Sequence, residues 1–258
     1  MTALTPRAKV CETIEGGFVL RMRTAADVRR LGTGLAFAAA GTLIFLGFAT
    51  TPWEGSRDTA SYLASLRESP AQAQLSAALL HFGYLLAVPA LIGLLPRVRG
   101  RGVALVHAGA LLLALGFATF SGLVASDFWS LSMAQNLPSE AAASAFDGVD
   151  RLGGLTAVAV PGFFGLLAGT ALLALGLWRS RFAARPVAVC LVAAVAIMTI
   201  AGPSLLLNVV GSGLLLVAFG YLGWRVADPR SSSTMPAAPA RPALAANTTA
   251  IEAKGARG

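Results

Sequence analysis

QLSAALLHFGYLLAVPALIGLLPRVRGRG, residues 74–102, decides the fold. Its apolar run, Leu75–Leu95, holds 21 residues and ends against Arg97, Arg99 and Arg101. At ~1.5 Å per helical residue, such a run matches a hydrocarbon core of roughly 30 Å. Basic residues just beyond a span mark its cytoplasmic end. The stretch is therefore read as a transmembrane helix descending from outside to inside, and the other crossings are counted from it. It carries His81, one of two histidines in the chain, and the mid-helix proline Pro89.

Composition agrees with a membrane solvent. The 258 residues are 56% hydrophobic and only 12% charged, where a soluble domain carries about 25% charged residues. The net charge of +8 sits on arginines flanking the apolar blocks, so it is a topological signal and not a nucleic-acid footprint. All basic residues except Lys9 and Lys254 are arginine. With the high alanine and glycine content, this usage suggests a GC-rich bacterial genome. Cys11 and Cys190 fall in no expected outer loop, and two cysteines make no disulfide framework.

Outward from the opening stretch, the sequence predicts an all-α polytopic bundle of six spans with both termini cytoplasmic. A basic cytoplasmic leader covers 1–30, and the compact MRTAADVRRLG from Met22 suggests that 1–21 is an optional extension. The spans are expected at about 31–50, 75–95, 103–125, 155–178, 187–202 and 205–225, followed by a Pro/Ala/Ser-rich disordered tail over 226–258. The last two spans come from the uncharged region Val187–Trp224. As one helix it would be ~57 Å long, so it is split at Gly202-Pro203-Ser204 and Asn208. An even count leaves only Arg57, Arg67 and Arg151 outside, whereas five spans would place the basic tail outside. Trp53, Trp129, Trp178 and Trp224 each fall at an expected span end, where an amphipathic ring prefers the headgroup level. In the first outer loop DTASYLASL, residues 58–66, predicts a short helix lying on the membrane surface through Tyr62, Leu63 and Leu66. In the second, Ser139 is expected to cap a short helix that Gly148 closes.

Candidate chemistry within the spans is sparse. Gly102, Gly109 and Gly116 recur at seven-residue steps in span 3. Gly162, Gly165, Gly169 and Gly176 line span 4, and Gly213 and Gly220 repeat the step in span 6. Such stripes let helix backbones approach closely within a bundle, or serve as a homodimer seam. His81 with Tyr84 one turn on makes a polar spot in the outer half of span 2, and His107 stands near the inner end of span 3. Their depths differ by roughly 15 Å at ~1.5 Å per residue, so they cannot jointly ligate one metal or haem iron. No Asp, Glu, Lys or Arg lies inside a span, which argues against a proton pump, cation channel or ion-coupled antiporter. Asp127, Asp147 and Asp150 in an outer loop are either a cation site or solvated charges. No phosphate loop, HExxH, zinc spacing or nucleophile elbow occurs. A faint echo of AGTLIFLGF (40–48) in AGTALLALGLW (168–178) suits a three-plus-three inverted repeat.

The run of DTASYLASL, LLAVPALIGLL and an RxRG loop resembles uncharacterised multi-span integral membrane proteins of actinobacteria, mainly over residues 31–125. The resemblance implies a plasma-membrane location and a multi-span bundle, and it brings no activity or catalytic residue. The residues themselves suggest a non-enzymatic membrane protein that supports an envelope process or a partner, with no cofactor or metal site. A transporter or permeability factor for a small neutral or lipid-like molecule is the alternative, motivated by Pro89, Pro161 and Pro203. A haem-binding redox subunit using His81 or His107 separately is the third reading.

Overall fold

A computed structural model describes residues 25–52, 58–202 and 204–229, and among these all regular structure is helical. The leader before residue 25, Trp53 and the tail beyond 229 lie outside the described residues. The long helices are α1 (Ala25–Thr50), α3 (Pro70–Leu94), α4 (Val103–Ala125), α7 (Gly153–Ser180) and α9 (Leu205–Ala227), with the shorter α8 (Arg185–Ala201) between the last two. Among the described residues five stretches are long and apolar enough to cross a membrane. At 17 residues α8 is about 25 Å long, a few ångströms short of a ~30 Å core.

Local chemistry sets the helix ends. Pro70 opens α3 at a position where its missing N–H costs nothing. Pro89 and Pro161 lie inside α3 and α7, which both run on past them. Glycines at positive φ, Gly100 (82°) and Gly102 (86°), turn the chain from α3 into α4. The α8–α9 turn pivots on Gly202, at φ 53°. Asn208, 3% exposed, latches that turn by donating to Gly202 O at 2.9 Å and Ser204 O at 3.0 Å. The sequence's turn signal at Asn208 is thus a buried amide holding backbone carbonyls.

The six helices close into a ring. Around it run α3, α1, α9, α8, α7 and α4, and α4 returns to pack on α3. The middle is filled. Phe37 of α1 meets Phe219 of α9 edge to face at 5.3 Å, and Phe219 meets Phe117 of α4 at 6.0 Å. Phe117 in turn stacks on Tyr84 of α3 at 5.6 Å. Because α9 and α4 stand on opposite sides of the ring, the Phe117–Phe219 contact bridges its centre. Ile44, Leu91, Leu173 and Leu215 complete a core from which solvent is excluded.

Three short helices form a cap at one end: α2 (Thr59–Glu68), α5 (Asp127–Asn136) and α6 (Ser139–Asp150). They share a small core of Leu63, Leu66, Leu131, Ala134 and Ala142. Here the structure corrects three expectations. Helix α2 forms where expected, capped by Asp58 accepting from Ser61 N at 3.1 Å. Its apolar face, however, is covered by α5 and α6 and is not free to lie on a membrane surface. Ser139 does not cap α6; its hydroxyl accepts from Arg67, and the helix runs through Gly148 to Asp150. Residues 127–136, expected as loop, are helical and continue α4 after a bend at Ser126. At the opposite end stand the arginine clusters. Arg225 Nε donates to Phe182 O at 3.2 Å, so α9 ends beside the end of α7. Trp129, Trp178 and Trp224 are all exposed, near the ends of α5, α7 and α9.

Candidate functional site

At the arginine-rich end, α1, the end of α3, residues 180–182 and α9 enclose a pocket of about 870 Å³. Arg29, Arg97, Arg99, Arg181 and Arg225 line it, and among the described residues no carboxylate does. Ala36, Pro89, Ile92 and Phe182 add apolar lining to the same space. Close backbone approach makes the walls. A Cβ on Gly93 would collide with the side chain of Thr33, whose hydroxyl donates back to Arg29 O at 2.8 Å. The rim of α7 is tied by Ser180 Oγ, which donates to Leu177 O and accepts from Phe182 N.

The positive charge there is crowded. Burial, then the guanidinium charges of Arg30 and Arg29, push Arg97 below its ordinary pKa. Arg30 pairs with Asp27 at 3.3 Å through one nitrogen, while its Nε is buried with no acceptor among the described residues. Arg181 closes α7 in the left-handed region, at φ 56° and ψ 21°. Glycine is the usual residue at such a position, and a side chain there costs about 1–2 kcal/mol. The chain thus keeps a guanidinium at the pocket rim where helix termination alone favours glycine. Sequence reading took these arginines singly, as topological marks. The missing step was that helix ends on one side of a closed ring must converge.

The histidines are far apart. His81 Nδ1 lies 3.0 Å from both the hydroxyl and the carbonyl of Ser121, and Ser121 Oγ donates to His81 O at 3.2 Å. This reciprocal pair fastens α3 to α4. Ser121 and His107 share α4, fourteen positions or about 21 Å apart along the axis, so the two imidazoles are further apart than depth along separate spans implied. Tyr84 is 7% exposed and belongs to the aromatic core, stacked on Phe117 and edge-on to Phe120. His81 instead turns its ring toward α4 and Phe82. The expected His81–Tyr84 polar spot is therefore resolved into a helix clasp and a packed ring.

The glycines divide. Gly109, Gly116, Gly162, Gly165, Gly169 and Gly176 all lie in the α4–α7 seam. A Cβ on Gly116 would come 2.7 Å from Leu166 N, one on Gly165 2.6 Å from Leu112 O, and one on Gly176 2.6 Å from Val106 N. Cβ atoms on Gly109 and Gly169 would strike the Leu173 and Leu113 backbones, and one on Gly162 the Thr119 side chain. Gly102 faces Arg179 and Gly176 across the same seam. This stripe is consumed by packing within the chain. Gly213 and Gly220 correct the expectation for span 6: beside Gly213 only Phe45 stands, at 3.7 Å, and beside Gly220 there is open space. The close contacts of α9 are instead at Gly211 against Met198 and at Gly223 against Gly34. The sequence signal for Gly223 was available in its reciprocal partner, Gly34 of α1, but a seven-residue rule does not register single close approaches.

The outer acids do not converge. Asp127, at the first turn beyond α4, accepts a hydrogen bond from Tyr62. Burial raises its pKa to about 6, and the Tyr62 bond opposes that shift. The Tyr62 hydroxyl is itself pushed up, by burial first and then by the Asp127 charge. Asp147 accepts from Thr59 at 2.9 Å, and the side chain of Asp150 lies outside the described residues. Among the described residues no three His, Cys, Asp or Glu side chains are grouped to hold a metal. The chain matches no family model, no curated protein and no solved structure.

Proposed function

We propose that the chain is a six-span bacterial plasma-membrane protein, with both termini cytoplasmic and the α2–α5–α6 cap outside. It acts without enzymatic chemistry, supporting an envelope process or a membrane partner. The observation that carries the reading is the filled ring: the Phe117–Phe219 contact joins opposite walls and leaves the centre to apolar side chains. Short α8 counts as a crossing because Arg185 at its start and Arg225 at the end of α9 both stand with the basic end. Purified protein in liposomes tests the functional part. Flux of small neutral solutes and movement of a labelled phospholipid between leaflets should equal those of empty vesicles; saturable, protein-dependent transport of either contradicts it.

The transporter reading for a lipid-like molecule is favoured by one observation, the pocket that opens between α1, α3 and α9. A path through the middle of the ring requires the Phe37–Phe219–Phe117 contacts to part. The liposome experiment separates these two readings directly. For the haem reading, a visible spectrum of the purified protein is the test.

A further inference from the structure

The arginine-lined pocket has a chemistry of its own, independent of whether the ring ever opens. Five guanidinium groups from four segments face one space, with no carboxylate in its wall among the described residues. Planar guanidinium forks match phosphate oxygens in a bidentate way. Basic pockets between membrane helices on the cytoplasmic side suit anionic lipid headgroups. The volume of about 870 Å³ falls within the range of roughly 300–1,000 Å³ usual for small-molecule sites. The lining is mixed: Phe182, Pro89 and Ile92 stand around the same space as the arginines. A free phosphate ion uses only the arginines, whereas a lipid uses the apolar lining as well. One local feature fits a bound anion better than a merely topological role: Arg181 holds a left-handed helix end where glycine is the easier residue.

We propose that this pocket binds the phosphodiester headgroup of an anionic lipid, one per chain, with Arg97 and Arg181 facing the phosphate and Phe182 and Ile92 against the start of the tail. The shared chemistry is a phosphate ester, which either a lipid or a soluble sugar or glycerol phosphate supplies. The apolar residues in the lining favour the lipid.

Native mass spectrometry of the full chain from mild detergent tests this, titrating phosphatidylglycerol, phosphatidylcholine and glycerol 3-phosphate separately. One phosphatidylglycerol should bind at concentrations at least tenfold below those for phosphatidylcholine. A hundredfold excess of glycerol 3-phosphate should not displace it. The double variant R97Q/R181G should lose at least tenfold in affinity. R101Q/R185Q removes the same charge from exposed arginines outside the pocket wall and should bind like the parent. R181G alone should keep or raise the melting temperature, because glycine suits that helix end, while still weakening the lipid; this separates binding from folding. Equal losses in the two double variants would show diffuse charge attraction and overturn the proposal, as would no loss in R97Q/R181G. Displacement by equimolar glycerol 3-phosphate would overturn the lipid assignment in favour of a soluble phosphate ester.

Discussion

Arg67 donates from three nitrogens to three acceptors: Nε to Ala134 O at 2.6 Å, and the two terminal nitrogens to Ser139 Oγ at 2.9 Å and Leu137 O at 3.0 Å. Its guanidinium thereby satisfies carbonyls at the C-terminal end of α5, which helix geometry leaves without intrahelical donors, and pins the start of α6. In the sequence Arg67 is only a basic residue on the wrong side of the charge count, because nothing local shows that its partners lie about 70 positions away. Asp127 is the other residue whose role depends on distant neighbours. Its pKa of about 6 in the folded chain stands above the ordinary 3.8. The folded state therefore keeps a proton over a range where the unfolded chain has released it. That contribution to stability is complete below about pH 4 and lost as pH rises through about 6. Asp127→Asn should remove this pH dependence and stabilise the cap at pH 7.5 by on the order of 2 kcal/mol, allowing for solvent screening. Melting curves of both proteins at pH 4.5 and 7.5 check it: the parent should lose more stability than the variant between the two. Parallel behaviour would remove Asp127 from the account.

Among the elements, the α4–α7 seam shows what glycine spacing conveys and what it does not. The repeated glycines of the two neighbouring segments do face each other, because small residues at seven-residue steps share one helix stripe. Gly169→Val should destabilise the protein by about 3 kcal/mol, since the added carbons meet the Leu113 backbone, which cannot turn away. Gly220→Ala should be neutral or stabilising by up to ~1 kcal/mol, since the added methyl meets no neighbour and helix propensity favours alanine. Thermal unfolding of both variants in detergent measures the contrast; equal losses would mean the seam is not where the stability lies. The cap helices were the least legible elements. The helix over 127–136 has almost no amphipathic stripe of its own, and it exists by continuing α4 and by packing Leu131 and Ala134 beneath α2. Periodicity finds helices that carry their own signal, and tertiary contact supplies the rest.

At the scale of the whole molecule, length and apolarity made the long helices legible from Leu75–Leu95 outward, with α4 falling on 103–125 as the sequence predicts. The ring was not legible, because many helix orders share one hydropathy profile. Nor was the arginine pocket, which exists only once Arg29, Arg97, Arg181 and Arg225 are brought to one end by that ring. The same closure supports the proposal that α8 crosses despite its length and returns the tail to the side of the leader. Cysteine labelling tests this most directly. With Cys11 and Cys190 replaced, single cysteines are placed at Asn136 in the cap and at Ser232 in the tail, and a membrane-impermeant maleimide is applied to spheroplasts before and after lysis. The account predicts that Asn136→Cys reacts in intact spheroplasts, whereas Ser232→Cys reacts only after lysis. Labelling of both in intact spheroplasts would contradict it, since the chain would then cross an even number of times between cap and tail, in place of the three crossings of α7, α8 and α9.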